Sequence, residues 1–405
     1  MSAPIVNVHP NRGLLPSLGS LIRGSTAVLA FGLLALPVLA GEQGGEGNSP
    51  PAAPGQQGGP VAGISRAQYR TWLEGRAVFD RAFSVAEGLG APEFNADSCR
   101  ACHQDPAVGG AGSLELNVSR FATDNGGAGP FMDLPGGQMF SKLRPPPDGT
   151  RENQHASADL FEQRQTPSIL GDGLIETISD ATILAGQDLT DANGDGIFGV
   201  ARVRMIKGQP EVGRFGWKAQ VPLLEDFVRD AMGGECGITT PDDGRGFAML
   251  ADADGQADPE LTEDDVDLVN FFMQKLAAPT RDGGAGTGDV ERGEELFFDL
   301  RCDRCHTPSL PGSGGPVNLF SNLLLHDVMG PGFSGMAEDG APSGMYRTPP
   351  LWGIEDTAPY MHDGRASDLE AAVLAHQGEA AFSSAAYLLL TPSQQDSLIA
   401  FLEDL

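Results

Sequence analysis

The chain has 405 residues with 55 Gly and 30 Pro, long enough for two domains and rich enough in glycine and proline for much loop. Acidic residues number 55 against 26 basic ones, a formal net charge of −29 at pH 7. That charge excludes nucleic acid and anionic membrane surfaces as natural partners; it suits a basic patch on a protein partner or a simply solvated acidic surface.

At the N-terminus, Arg12 and Arg23 precede an apolar run, TAVLAFGLLALPVLA, over residues 26–40. The run is too short and too broken by Pro and Gly for a comfortable membrane span. Val38, Leu39 and Ala40 suit a cleavage site before Gly41, so residues 1–40 read as a Sec-type signal peptide, with an uncleaved anchor as the alternative. No cysteine follows the run closely, which argues against a lipoprotein. Residues 41–64 read as a flexible Gly/Pro/Gln linker. The expected mature chain is periplasmic or otherwise exported, without an integral membrane span once the signal is removed.

Four of the five cysteines form two C-x-x-C pairs, each followed by histidine: Cys99, Cys102, His103 and Cys302, Cys305, His306. C-x-x-C-H is the attachment signature of c-type haem, with both thiols as thioethers and the histidine as proximal iron ligand. A shared zinc site would have to join pairs about two hundred residues apart. A redox C-x-x-C would sit near a βαβ pattern, which this sequence lacks. Two covalently bound c-type haems are therefore expected, and Cys236 is left over.

An internal repeat organises the chain. Residues 73–79 before the first haem motif parallel residues 291–297 before the second, and both read as amphipathic helix. Residues 166–171 (TPSILG) parallel 348–353 (TPPLWG), and residues 215–217 (FGW) parallel 360–362 (YMH). Each copy closes on a helical pattern, residues 261–276 and 390–405, with Thr262 and Thr391 as candidate N-caps and Pro392 at a first helical position. The fold class expected is mainly α: two cytochrome c-like helical domains with long loops, each around one haem, over residues 65–280 and 283–405. No run of alternating strands suggests an extended sheet.

The repeat distinguishes the two irons. His376 follows His362 by fourteen positions; Ala231 follows the aligned Trp217 by the same fourteen. His376 can close the sixth position of the C-terminal haem, whereas Ala231 offers no ligand atom. The alternative for His376 is a surface helix histidine, with His326, His362 and His155 as rival ligands. Trp217 can bridge the haems electronically if its loop faces both, or can be a buried packing tryptophan. Glu235, four positions after Ala231, is the candidate acid/base for O–O cleavage, or else an exposed loop carboxylate. Cys236 is either near the distal pocket or inert. Asp191, Asn193 and Asp195 space three oxygen ligands as an EF-hand loop does, but Arg202 stands at the twelfth position instead of Glu. A half-loop calcium site and a metal-free Asx-turn loop are both open.

Residues 93–99, 171–176, 213–219, 323–327 and 347–353 together resemble the bacterial di-haem oxidoreductase family, whose members are labelled peroxidase or thiol oxidoreductase. The resemblance covers almost the whole mature chain. The family is similar in turn to di-haem cytochrome c peroxidases, to the di-haem enzyme that matures a tryptophan-derived quinone cofactor, and to rubber oxygenases. It implies that Trp217 lies between the haems, that His376 is the distal ligand of the C-terminal haem, and that Glu235-Cys236 corresponds to a Glu-Met pair near the reactive haem. Similar peroxidases also hold calcium between domains.

The expected activity is thus that of a peroxidase-like di-haem oxidoreductase, with an open N-terminal haem as reactive site and a bis-His C-terminal haem as electron relay. Its expected partners are a redox protein as electron donor or acceptor and a small oxidant such as peroxide or dioxygen. An electron-transfer cytochrome without catalysis, and an oxygenase or protein-modifying oxidase, are the alternatives.

Overall fold

The computed structural model describes residues 50–90, 94–124, 129–132, 139–140, 143, 156–281, 283 and 287–405. The expected signal peptide, residues 41–49 of the expected linker, and His155 lie outside the described residues.

Ten α-helices occur among the described residues: α1 (Arg66–Phe79), α2 (Cys99–Cys102), α3 (Asp172–Glu176), α4 (Asp180–Ala185), α5 (Leu224–Ala231), α6 (Glu263–Gln274), α7 (Gly288–Asp299), α8 (Leu369–Ala375), α9 (Ala381–Tyr387) and α10 (Pro392–Asp404). None is long and apolar enough to cross a membrane. The strands are short and antiparallel. β1 (Val118–Ala122) lies between β2 (Met139–Phe140) and β3 (Leu160–Arg164), and three separate two-stranded ribbons follow: β4 (Val203–Ile206) with β5 (Gln209–Val212), β6 (Leu310–Gly312) with β7 (Gly315–Val317), and β8 (Leu325–Asp327) with β9 (Met345–Arg347).

Two helix pairs carry the frame, and local chemistry explains both. Ser65 with Gln68, Thr262 with Asp265 and Thr391 with Gln394 form capping boxes that satisfy the first amides of α1, α6 and α10. Each helix then buries one stripe: Trp72, Gly75, Arg76 and Phe79 on α1, Val266, Val269, Phe272 and Met273 on α6. The same spacing recurs with Val290, Gly293, Leu296 and Phe297 on α7 and Ser397, Leu398, Phe401 and Leu402 on α10. A glycine lets each pair touch closely. A Cβ on Gly75 would stand 2.0 Å from the Leu268 carbonyl oxygen, and one on Gly293 would stand 2.0 Å from that of Ser397. Phe79 meets Phe272 at 4.8 Å between ring centroids, and Phe297 meets Phe401 at 5.3 Å.

The packing crosses the repeat boundary. Leu319, Leu323, Leu324 and Trp352 belong to the same apolar core as Trp72, Phe79 and Phe272, while Val290, Phe297, Tyr387 and Phe401 build a second one. Residues 50–64 differ from the flexible segment expected there. Val61 donates to the Lys275 carbonyl at 2.8 Å and the Gly59 carbonyl accepts from Ala277 at 2.9 Å, and Gly58, Gly59 and Pro60 are buried. Glycine and proline here suit close backbone contact with the end of α6 as well as they suit a free linker.

Candidate functional site

The second cysteine pair follows α7. Arg301, in the left-handed region at φ 62°, turns the chain into the short 3₁₀ turn Cys302–Arg304. The His306 amide donates back to the Cys302 carbonyl at 2.9 Å. Its Nδ1 lies 3.0 Å from the Phe320 carbonyl oxygen. A carbonyl only accepts, so the proton is on Nδ1 and the Nε2 lone pair is free. His376 ends α8, with Nδ1 2.7 Å from the Ala372 carbonyl oxygen and its own Nε2 free in the same way. The two imidazoles have ring centroids 6.5 Å apart and planes at 66°. A metal–nitrogen bond of about 2.0–2.1 Å puts two rings on opposite sides of one metal about 6.4 Å apart between centroids. Burial pulls His306 down to about 3 and lowers His376 too, so both rings are neutral, as ligands must be. Cys302 and Cys305 line the same cavity as unpaired thiols. These residues fit a haem held by two thioethers and two axial imidazoles.

Of the rival ligands, His326 is engaged at both nitrogens. Its Nδ1 donates to Glu379 at 2.9 Å and its Nε2 accepts from Asn322 at 2.9 Å. His362 lines the His306 cavity but stacks on Tyr346, centroids 3.8 Å apart and planes at 14°.

The first cysteine pair forms α2, capped by Ser98, whose Oγ accepts from the Ala101 amide at 3.2 Å. His103 Nδ1 lies 3.2 Å from the Gly110 carbonyl oxygen, the Pro167 backbone also bonds the ring, and burial pulls the ring down to about 4. The cavity in front of it is lined by Ala231, Met232, Glu235 and Cys236, where α5 widens into a π-turn over Met232–Cys236. Ala231 offers no donor atom. Asn95 Nδ2 donates to the Glu235 carboxylate at 2.9 Å, while the Asn95 amide donates to the Glu235 backbone carbonyl at 2.7 Å, so Asn95 holds this residue by both its side chain and its main chain. Asp230 lines the cavity too; its side chain is exposed to that space, and desolvation by the surrounding protein pushes its carboxyl up to about 6. Cys236 is 2 % exposed, and burial together with the neighbouring Cys99 raises its thiol well above the ordinary range. It is an enclosed thiol beside Cys99 and Cys102.

Trp217 lines both cavities, as do Gln165 and Pro167. Its Nε1 donates to the Gln165 carbonyl at 2.7 Å. The turn that carries it is gripped from the C-terminal half: the Arg347 amide donates to the Trp217 carbonyl at 2.8 Å and Arg347 Nε to the Gly216 carbonyl at 3.0 Å. Lys218, fully buried, donates to the Pro342, Ser343 and Met345 carbonyls at 2.8, 3.1 and 3.0 Å.

Sequence reasoning missed an arginine cluster at the N-terminal cavity. Arg120, Arg164 and Arg202 converge on Glu338 at 2.8, 2.6 and 2.8 Å. Burial alone would raise the Glu338 carboxyl, but the three guanidiniums outweigh it and hold it well below the usual range. Met232, a thioether on the cavity wall, was missed as well. In the candidate calcium loop the oxygens serve the loop itself: Asp191 accepts from Gly196, Asn193 from Asp195 and Asp195 from Ile197, all at 3.0–3.2 Å. That is an Asx-turn arrangement, which a metal-free loop also forms.

Residues 152–405 match the model of a protein family described as "Di-haem oxidoreductase, putative peroxidase". No curated protein matches. Among solved structures the chain is similar to a MauG-like protein associated with microbial copper homeostasis, at 18% identity over 88% of this chain and 94% of that one, TM-score 0.40. It is similar to Kuenenia stuttgartiensis hydrazine synthase, at 14% identity over 94% and 100%, TM-score 0.40. It is also similar to a variant of the diheme peroxidase BthA from Burkholderia thailandensis, at 15% identity over 85% and 89%, TM-score 0.43.

Proposed function

The chain belongs to the di-haem oxidoreductase family, and from that premise we propose that it is an exported peroxidase-type enzyme with two unequal c-type haems, the N-terminal one reactive and the C-terminal one an electron relay. The observation that carries this reading is the contrast across the two cavities. His376 and His306 have ring centroids 6.5 Å apart, whereas Ala231, on the wall of the cavity that holds His103, has no ligand atom.

In this reading Cys99, Cys102 and His103 hold one haem, and Cys302, Cys305, His306 and His376 hold the other. Each group, when bound, would supply a redox-active iron able to take up an oxidant or pass electrons. The chain's own residues do the rest. Backbone carbonyls of Phe320 and Ala372 fix the His306 and His376 imidazoles with Nε2 free, and that of Gly110 holds His103. Glu235, held by Asn95, takes a proton from one peroxide oxygen and returns it to the other. Trp217 provides the aromatic contact between the two cavities.

The two segments, 65–280 and 283–405, act as cytochrome c-like modules behind an export signal over residues 1–40. A redox protein serves as electron partner, and peroxide or dioxygen as oxidant. The reading needs no calcium at Asp191, Asn193 and Asp195.

The test is peroxide consumption coupled to oxidation of a reduced donor by the purified holoprotein. Glu235→Gln is expected to lose about 10²-fold or more in rate with both haem spectra unchanged. An unchanged rate removes Glu235 from the chemistry; a wild-type protein that ignores peroxide removes the peroxidase reading.

A further inference from the structure

The arginines of the two cavities are compensated differently. At the N-terminal cavity, Arg120, Arg164 and Arg202 all reach Glu338. At the C-terminal cavity, Arg347 is only 8 % exposed and its hydrogen bonds go to neutral carbonyls, Gly216 at 3.0 Å and Thr348 at 3.5 Å. No ion pair holds it among the described residues. Asp172 acts on it only through space, and burial keeps that carboxyl protonated up to about 7. A buried guanidinium without an anion is costly. On the lining of the same cavity His362, 3 % exposed, has its Nε2 3.9 Å from Asp363 and carries a buried Nδ1 with no hydrogen-bond partner. A buried polar atom in that state also asks for a partner.

Both side chains line the cavity that contains Cys302, Cys305, His306 and His376. Phe297, Leu369, Leu398 and Leu402 line it too, an apolar wall suited to a porphyrin ring. Arg347 belongs to the polar part, next to the Trp217 turn that it grips. We propose that Arg347 and His362 form the carboxylate-binding end of this cavity and receive the propionates of the C-terminal haem. This rests on the reading of that cavity as a haem site. It adds the orientation: the carboxylates face the Trp217 turn, so one arginine holds both the haem's anionic edge and the contact between the cavities. A guanidinium suits this task because its planar fork pairs with carboxylate oxygens two at a time.

A nearby cation favours the reduced haem, so the readout is the midpoint potential of each haem in the holoprotein, followed spectroelectrochemically. Arg347→Gln is expected to make the C-terminal haem about tenfold harder to reduce, about 59 mV lower for one electron, with the N-terminal potential unmoved. Arg347→Lys should recover most of the shift. If Arg347→Gln does not fold, His362→Gln carries the test, with a smaller shift in the same direction. An unmoved C-terminal potential in the folded variants overturns the proposal. So does a wild-type potential that moves with added formate, which would assign the site to a free carboxylate. Axial ligation is reported separately: a C-terminal haem that is not low-spin in the wild type would sink the ligand assignment, whereas a low-spin haem with an unmoved potential would sink the propionate assignment alone.

Discussion

The two halves of the molecule are alike where the backbone is packed and unlike where the irons are expected. Gly75 on α1 and Gly293 on α7 occupy equivalent places, and each would drive a Cβ to 2.0 Å from a carbonyl oxygen of the closing helix. In front of those crossings the halves diverge. One cavity sets two imidazoles with ring centroids 6.5 Å apart; the other holds His103 with Ala231, Glu235 and Asp230 on its wall. A repeat can thus preserve its frame, which close packing enforces, while its cavity walls change one side chain at a time.

Exchanging the two walls should break the contrast most strongly. His376→Ala is expected to turn the C-terminal haem from low-spin to high-spin and leave the N-terminal one untouched. Ala231→His should do the opposite: it should close the N-terminal iron, abolish peroxide turnover and spare the C-terminal spectrum. Optical and EPR spectra of both variants check this, and a His376→Ala protein with an unchanged C-terminal signal would remove His376 as ligand.

The shared frame can be sharpened by Gly75→Ala and Gly293→Ala. Each should cost about 1–3 kcal/mol in denaturant unfolding, because backbone must move to admit the methyl group. A neutral effect at either site would mean the two crossings are not equivalent.

A smaller effect is expected from Asp172. Burial pushes its carboxyl from an ordinary 3.8 up to about 7, against the pull of Arg347. Its contribution to stability is therefore complete below about pH 4 and is lost as the pH rises through 7. Melting temperatures between pH 4 and 8 should fall less steeply in Asp172→Asn than in the wild type.

The frame was the most legible part of the sequence. Helices α6 and α10 are capped by Thr262 and Thr391 as the capping pattern implies, because N-cap chemistry and a buried stripe are both local signals. The cysteine motifs and the fourteen-residue offset to His376 are local signals too, since each spacing lies within one copy of the repeat. The charge network was not. Arg120 and Arg202 reach Glu338 from 218 and 136 positions away, and no periodicity encodes such a pairing. His362 sits in a stretch that the repeat singled out and Arg347 in one that the family resemblance did, yet Arg347's lack of an anionic partner appears only once the neighbouring chain is folded around it. Residues 50–64 show the converse: their composition suggests a free linker, and contacts with the end of α6 hold them.

The central claim is that one iron is closed and the other open. The most direct test is low-temperature EPR of the oxidised wild-type holoprotein, with the two haems separated by reductive titration. The account predicts one low-spin signal with two imidazole ligands and one high-spin signal that changes on addition of peroxide. Two low-spin signals, with the N-terminal one turning high-spin only in Met232→Ala, would contradict it by showing that the first iron is closed by a thioether.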